Sequence, residues 1–280
     1  MFGRLFGAKT PILDSLPEVR GKYIENAKLA KHTWFGVGGP AEVLFLPEDA
    51  DDLKTFLMRK PAAIPVTVIG GGSNLLIRDG GIPGVVVKLD APAFRQVKFD
   101  GAEVTVGAGL KNSDLKKALI DNGVGGLEFI CSVPGRIGGL LRTNAGCFGK
   151  TVSDVFVRAH IMNDWGQIYE TGAEDFNFSY RSSMFPENWI VLDATLKGVK
   201  AAPEEIRKTM DEQLAYRLAH QPINKKTAGS TFKNPEGLQA WKLIKEAGCA
   251  GLKVGGAEVS DMHCNFLINR GKATAEDIEE

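Results

Sequence analysis

The period of apolar residues changes several times along the chain, and each change marks an element. Glu42-Val-Leu-Phe-Leu46 is a short strand-like run. Pro47 to Leu57 places Leu53, Phe56 and Leu57 on one helical face behind a cap at Asp49. Val66 to Ile69 is a β-branched run that reads as a buried strand. The order strand, helix, strand predicts a βαβ-like unit, and ligands favour the carboxyl ends of such strands. Gly84 to Leu89 predicts another strand. Val97-Lys-Phe and Glu103-Val-Thr-Val106 alternate around Asp100-Gly101, a hairpin pattern. Ser113 to Asn122 predicts an amphipathic helix with Leu115, Ala118 and Leu119 on one face, Ser113 as cap and Gly123 as stop. Strands follow over Val155 to Ile161, Gly166 to Glu170 and Trp189 to Leu196. Pro203 opens a helix to about His220, with Pro in the first helical position and Glu204 and Glu205 near its positive end; the domain boundary is set there. Ala240 to Ala247 predicts a helix stopped by Gly248, Asn265 to Ile268 a strand, and Ala273 to Glu280 a helix capped by Thr274. Residues 1–29 read as a lead-in, with a short helix beginning at Leu16.

Two glycine-rich interruptions break this pattern. In the first, Gly70, Gly71 and Gly72 end a strand and are followed by Ser73, Asn74 and Leu75. Glycines admit positive φ and let a backbone approach a ligand closely. Successive N–H groups turned toward one point make a nest for an anion, typically a phosphate. A tight turn between two core strands accounts for the same residues. The G-x-G-x-x-G spacing is missing, and Leu75 to Ile77 reads as a return to strand where a dinucleotide-binding helix should start. The second interruption runs from Gly125 to Gly149. Its Pro134-Gly135 turn and Gly138-Gly139 pair precede a short apolar segment of helical character. A helix N-terminus there would offer free N–H groups and a positive dipole end; an irregular buried connection is the alternative. Two separate anion loops suit a pyrophosphate better than one phosphate.

Composition narrows the field. The chain has 280 residues, 44% hydrophobic and 24% charged, and Lys+Arg and Asp+Glu both number 34. A balanced charge points away from nucleic acid and from membrane surfaces. Cys131, Cys147, Cys249 and Cys264 are scattered without a CxxC, so they read as reduced cytosolic thiols, with no metal site. Met1 to Gly7 is too short and interrupted for a signal peptide. No apolar run approaches the roughly 20 residues of a membrane span.

Six motifs in order resemble the UDP-N-acetylenolpyruvoylglucosamine reductase family in its shorter form. They are Thr33-Trp-Phe-Gly-Val-Gly-Gly-Pro-Ala41, Gly70-Gly-Gly-Ser-Asn-Leu-Leu76, Val133-Pro-Gly-Arg-Ile-Gly-Gly139, Asn144-Ala-Gly146, Tyr180-Arg-Ser-Ser-Met-Phe185 and Gly229-Ser-Thr-Phe-Lys-Asn-Pro235. The resemblance implies an α+β protein. Its FAD-binding fold would be of the vanillyl-alcohol-oxidase/PCMH type, with two subdomains over residues 30–90 and 91–200. A C-terminal α+β substrate domain would occupy residues 201–280. It implies a cytoplasmic, monomeric enzyme of peptidoglycan synthesis that uses NADPH and bound FAD to reduce UDP-N-acetylglucosamine enolpyruvate to UDP-N-acetylmuramate. Arg181 matches the family's active-site arginine, suited to holding a carboxylate bidentately and stabilising enolate charge. Ser230 matches its proton donor. Gly70, Gly71, Gly72, Ser73, Asn74 and Leu75 would cradle the FAD pyrophosphate, with Pro134, Gly135, Ile137, Gly138 and Gly139 as the opposing wall. Tyr180, Lys226, Lys233 and Asn234 are implied substrate contacts.

Departures from the family pattern are Gly36 in place of Arg, Ser132 in place of Gly, and Arg136 in place of a small hydroxyl residue. Arg136 reads as an added phosphate contact or a modulator of flavin affinity. The family's third catalytic residue, a Glu in a final strand, has no counterpart; Glu279 and Glu280 lie in the helix before it. Two other readings follow. One is a non-catalytic or impaired FAD- and UDP-sugar-binding protein. The other is an oxidase or dehydrogenase of a different alcohol or sugar on the same flavin fold.

Overall fold

In the computed structural model, which describes residues 12–280, β1 (Lys22–Lys28) pairs antiparallel with β2 (Pro40–Leu46). After β2 the chain crosses through α1 (Ala50–Arg59) to β3 (Val66–Val68) and then to β4 (Ile82–Val87). The first sheet has the order β1-β2-β4-β3, with β2, β4 and β3 parallel. The α1 features expected from sequence are present: the Asp49 carboxylate accepts the Asp52 N–H, and Leu53, Phe56 and Leu57 are buried.

Four expectations change here. Part of the stretch read as a lead-in is the edge strand β1; Met1 to Gly7 lies outside the described residues. Residues 16–21 are not helical, because the buried Asp52 carboxylate takes the N–H groups of Arg20 and Gly21 and holds the chain extended into the sheet. The run at Val66 is an edge strand rather than a buried one, because β4 inserts between it and β2. Leu75 to Ile77 does not return to strand: residues 69–81 form one loop, with Leu75 and Ile77 packed against Leu44 and Val86 beneath it.

The hairpin of β5 (Val97–Asp100) and β6 (Glu103–Gly107) turns at Gly101, as its alternation requires. In α2 (Leu115–Asn122), Gly123 at φ 60° closes the C-terminus. Asp114, not Ser113, stands at its N-cap, and the Ser113 hydroxyl turns to the Asp114 carboxylate. A two-residue strand β7 (Val124–Gly125) leads to α3 (Glu128–Ser132), α4 (Ile137–Arg142) and the small hairpin β8 (Gly146–Cys147) and β9 (Lys150–Thr151). Then come β10 (Phe156–Met162), β11 (Ile168–Thr171), the single turn α5 (Ala173–Phe176) and β12 (Ile190–Lys197). The second sheet is antiparallel in the order β11-β10-β12-β6-β5. One core joins the two sheets: Phe45 and Val87 from the first, with Phe56 of α1, belong to the same buried cluster as Val104, Ile161 and Leu196 from the second.

Beyond β13 (Val199–Lys200), α6 spans Pro203–His220, the helix read from Pro203. The remaining elements are α7 (Ala240–Glu246), β14 (Lys253–Val254), β15 (Ala257–Val259), β16 (Leu267–Asn269) and α8 (Ala275–Glu279), the last capped reciprocally by Thr274 and Asp277. This region folds back on the first sheet. Phe35 and Val37 pack with Ala257, Ala275 and Ile278. Asn269 Nδ2 donates to the Phe35 carbonyl at 2.7 Å, and the Asp79 carboxylate accepts the Ala275 N–H at 3.0 Å. Among the described residues, no helix is long and apolar enough to cross a membrane.

Candidate functional site

The two glycine loops, far apart in sequence, meet at the carboxyl end of the first sheet. A Cβ on Gly71 would stand 2.9 Å from Gly135 Cα, and the Ser73 hydroxyl donates to the Pro134 carbonyl at 3.0 Å. Gly72 takes φ +65°, and a Cβ there would fall 1.9 Å from the His32 carbonyl oxygen, so only glycine fits the turn. Trp34 N–H donates to the Gly72 carbonyl at 2.9 Å and fixes the loop from the other side. Among the described residues, no acceptor takes the N–H groups of Gly70, Gly71, Gly72, Ser73 or Asn74. Main-chain donors not taken by the protein are left for water or a ligand, and a phosphate is the ligand class such a nest accepts.

The second loop differs from its sequence reading. The N–H groups of Ile137 and Gly138 are already bonded, to the carbonyls of Leu110 at 3.2 Å and Ala108 at 3.0 Å. The start of α4 therefore contributes a close wall rather than two free donors. A Cβ on Gly139 would meet nothing within 4 Å, so that part of the wall faces open space. Arg136 is not a free phosphate contact. Its buried guanidinium turns inward to the carbonyls of Leu89 and Gly109 and to the Asp90 carboxylate. A buried cation needs its counter-ion and acceptors close by; Leu89 and Asp90, just after β4, and Gly109, just after β6, supply them.

A cavity of about 500 Å³ opens beside both loops, reached by Gly71, Pro134 and Gly135. The cations Lys31, Lys88, Lys111, Arg136 and Arg217 also line it, together with His32, and among the described residues no carboxylate does. A wall of one sign in a recess selects an anionic ligand. Arg217, from α6, spends its guanidinium on the Ser132 carbonyl and the Gln221 side chain, with no carboxylate partner among the described residues; burial lowers its pKa. Ser132 itself hydrogen-bonds Gln213 of α6 at 2.9 Å, which ties the second loop to that helix. Burial pushes the thiols of Cys131 and Cys147 up to about 12 and about 11, so both stay protonated at neutral pH. The nest, the glycine cradle and the cationic cavity fit a dinucleotide diphosphate such as that of FAD.

The remaining predicted residues gather at the rim. Arg181 is exposed at φ 55°, with its guanidinium 5.7 Å from the centre of the Tyr180 ring. The turn carrying both is held by Asn144, which donates to the Ser179 carbonyl at 2.9 Å. Burial raises the Cys147 pKa, and the charges of Arg217 and Arg181 oppose it. The Tyr180 hydroxyl accepts the Asn234 N–H at 3.4 Å, bringing two predicted contacts together across the domains. Ser230 follows the cavity residue Gly229 and bridges to Phe266. Its strand-like segment is clamped by buried Asn265, whose amide bonds both the N–H and the carbonyl of Phe232. Lys226 lies against Gly36: its Cδ is 3.3 Å from where a Cβ on that glycine would stand. Lys233 is exposed, and Arg181, Ser230, Lys226 and Lys233 are not among the residues that line the cavity. Glu279 pairs with Arg78 at 2.8 Å. Sequence reading missed His32, Lys88, Lys111 and Arg217 as cavity residues; each is an isolated polar residue in its own segment, and only the fold assembles them.

Comparison with known proteins agrees with this geometry. Residues 41–172 match the model of an FAD binding domain, and residues 221–280 match that of the C-terminal domain of UDP-N-acetylenolpyruvoylglucosamine reductase. A reductase of that name from Bradyrhizobium sp. (strain ORS 278) is 48% identical over 271 residues, covering 96% of this chain and 88% of the relative. One from Paramagnetospirillum magneticum is 49% identical over 267 residues, covering 95% and 87%. The crystal structure of UDP-N-acetylenolpyruvylglucosamine reductase from Thermus caldophilus superposes with a TM-score of 0.82 at 35% identity, covering 94% of this chain and 92% of that one. A glucose dehydrogenase, Phl p 4.0202, shares the fold alone, with a TM-score of 0.52 at 14% identity over 69% of this chain and 44% of its own. The architecture is thus the vanillyl-alcohol-oxidase/PCMH-type FAD-binding fold followed by a C-terminal α+β domain.

Proposed function

Since the chain belongs to the UDP-N-acetylenolpyruvoylglucosamine reductase family, an FAD-dependent reductase family of peptidoglycan synthesis, we propose that it reduces UDP-N-acetylglucosamine enolpyruvate to UDP-N-acetylmuramate with NADPH as reductant. FAD, when bound, supplies the hydride chemistry that links NADPH to the enolpyruvyl double bond. The observation that supports this reading most directly is the pair of touching glycine loops with unclaimed main-chain donors beside a cavity lined by cations.

The residues then take these roles. Gly70, Gly71, Gly72, Ser73, Asn74 and Leu75 hold the diphosphate. Pro134, Gly135, Ile137, Gly138 and Gly139 form the facing wall, the last three by close packing. Arg181 pairs with the substrate carboxylate and stabilises the negative charge that grows beside it as the terminal carbon is reduced. The Ser230 hydroxyl gives its proton to the carbon next to that carboxylate. Tyr180, Lys226, Lys233 and Asn234 orient the sugar and its phosphates. We assign residues 30–90 and 91–200 to the two cofactor subdomains, with β1 added to the first, and residues 201–280 to the substrate domain. The working form is a cytoplasmic monomer.

The test is a visible spectrum of the purified chain, followed by NADPH and then the enolpyruvyl UDP-sugar. The expected result is flavin absorbance that bleaches with NADPH and returns with the sugar under anaerobic conditions. A chain that binds no FAD, or whose bleached flavin ignores the sugar, refutes the reading.

A further inference from the structure

One contact beside the first glycine loop settles a proton position that the proposed function does not use. His32 lines the cavity, and its carbonyl lies directly under Gly72. Its Nδ1 is 3.2 Å from the ammonium of Lys88, which leaves the end of β4 and is 8% exposed. Lys88 is also 2.8 Å from the Asp90 carboxylate. An ammonium in an ion pair has three donors and no acceptor. Its contact with His32 therefore exists only if Nδ1 is the acceptor. That requires a neutral ring with its proton on Nε2. A charged ring would place two cations in contact, and burial together with the Lys88 charge pushes the His32 pKa down.

The other ring nitrogen is the informative one. Among the described residues, no group accepts from His32 Nε2. The other histidines are different: His160 has Asp193 at 2.8 Å on one side and Glu170 at 3.7 Å on the other, His220 bonds the carbonyl of Tyr216, and His263 sits between Trp241 and Phe266. Only His32 joins a fixed tautomer to a place on the cavity wall. The contacts also continue behind it, because Asp90 binds Arg136 and so reaches the second glycine loop.

We propose that His32 is a cofactor-contacting residue whose Nε2–H donates to an acceptor atom of bound FAD, and that Lys88 is the positioning residue that holds the imidazole neutral and in that tautomer. The proposal rests on the FAD reading of the cavity and adds two residues that no motif carries.

The experiment uses the full chain, stripped of flavin and titrated with FAD and, separately, with ADP. Three variants are compared with wild type: His32→Leu, which has no donor; His32→Gln, which keeps one; and Lys88→Met, which keeps the stem and loses the charge. A neutral hydrogen bond to a ligand is worth about tenfold in affinity. His32→Leu is therefore expected to weaken FAD about tenfold with unchanged circular dichroism, and His32→Gln to recover part of the loss. A matching loss with ADP places the acceptor on the diphosphate, and a loss with FAD alone places it toward the flavin. Long-range ¹H–¹⁵N spectra of histidine-labelled protein should show the Nε2–H tautomer in wild type, shifted on FAD addition, and a tautomer mixture or imidazolium in Lys88→Met. Wild-type FAD affinity in His32→Leu overturns the contact. An unaltered His32 spectrum in Lys88→Met overturns the role of Lys88, even if that variant melts lower. A wild-type chain that binds no FAD sinks the FAD reading of the cavity instead.

Discussion

Replacing Gly139 with Ala separates the cofactor wall from the fold, because its two effects have opposite signs. Gly139 lies within α4, has no left-handed φ, and a Cβ there meets no protein atom within 4 Å. In a helix, Ala is favoured over Gly by about 0.8–1 kcal/mol. The apoprotein should therefore melt about 2–4 °C higher. On the proposed reading, in which Gly139 belongs to the cofactor wall, the same methyl would enter the open space that the cofactor fills. Forcing a methyl into a filled contact costs about 1–3 kcal/mol, or roughly 5- to 150-fold in Kd. The assay is apoprotein melting by circular dichroism together with FAD titration by fluorescence quenching. Gly80→Ala serves as a control: it too meets nothing within 4 Å but belongs to neither the proposed cradle nor the proposed wall, so its FAD affinity should match wild type. A Gly139→Ala protein with raised Tm and wild-type FAD affinity would refute the wall. One that loses both would show that α4 was misjudged as a helix able to take the change.

Four further outcomes follow. Gly72→Ala needs a shift of about 1 Å to relieve its contact with the His32 carbonyl, a misplacement that costs on the order of 100-fold at a preorganised site; FAD binding measured by equilibrium dialysis should fall at least that far, and retained binding would remove Gly72 from the cradle. Ser230→Ala should leave flavin reduction by NADPH near wild type and slow reoxidation by substrate by ~10²-fold or more in stopped flow; parallel losses in both half-reactions would contradict a proton-donor role. Arg181→Lys keeps a charge but loses the planar fork, so substrate-driven reoxidation should slow by roughly 10²-fold, with the NADPH step again the internal control; an unaffected rate would place the substrate carboxylate elsewhere. Burial alone would raise the Asp90 pKa, but the hydrogen bond and charge of Lys88, with Arg136 and Arg95, outweigh it and hold the carboxyl below its ordinary range. Folding thus favours the ionised form, so its stabilisation is present at neutral pH and is lost as pH falls through that lowered value. Asp90→Asn should lower Tm at pH 7 and flatten the decline of Tm below about pH 4; identical acid slopes in both proteins would refute this.

How much was legible beforehand depended on whether the cause was local. The hairpin turning at Gly101, the cap at Asp49, the helix opened by Pro203 and the Thr274 cap are each fixed by a few adjacent residues, and all appear as read. The insertion of β4 between β2 and β3 was hidden, because strand order is decided by pairing across the sheet and not by any run of residues. The two glycine loops were visible as backbone without side chains, but the partners of their amides were not. Nothing near Ile137 reveals that Leu110 and Ala108 will claim the first N–H groups of α4. Arg136 looked free for the same reason: its acceptors come from residues 89, 90 and 109. Motif reading located Arg181 and Ser230 on their segments, whereas the cations of the cavity wall carry no motif.

The ties between Phe35 and Asn269 and between Asp79 and the start of α8 also have a temporal meaning. Synthesis runs from the amino end, so a nascent chain makes the Phe35–Val37 turn early and leaves it uncovered until Ala257, Ala275 and Ile278 have cleared the ribosome. Both glycine loops emerge well before that moment, since the later interruption ends at residue 149. The floor of the cofactor recess can therefore form before its rim is covered.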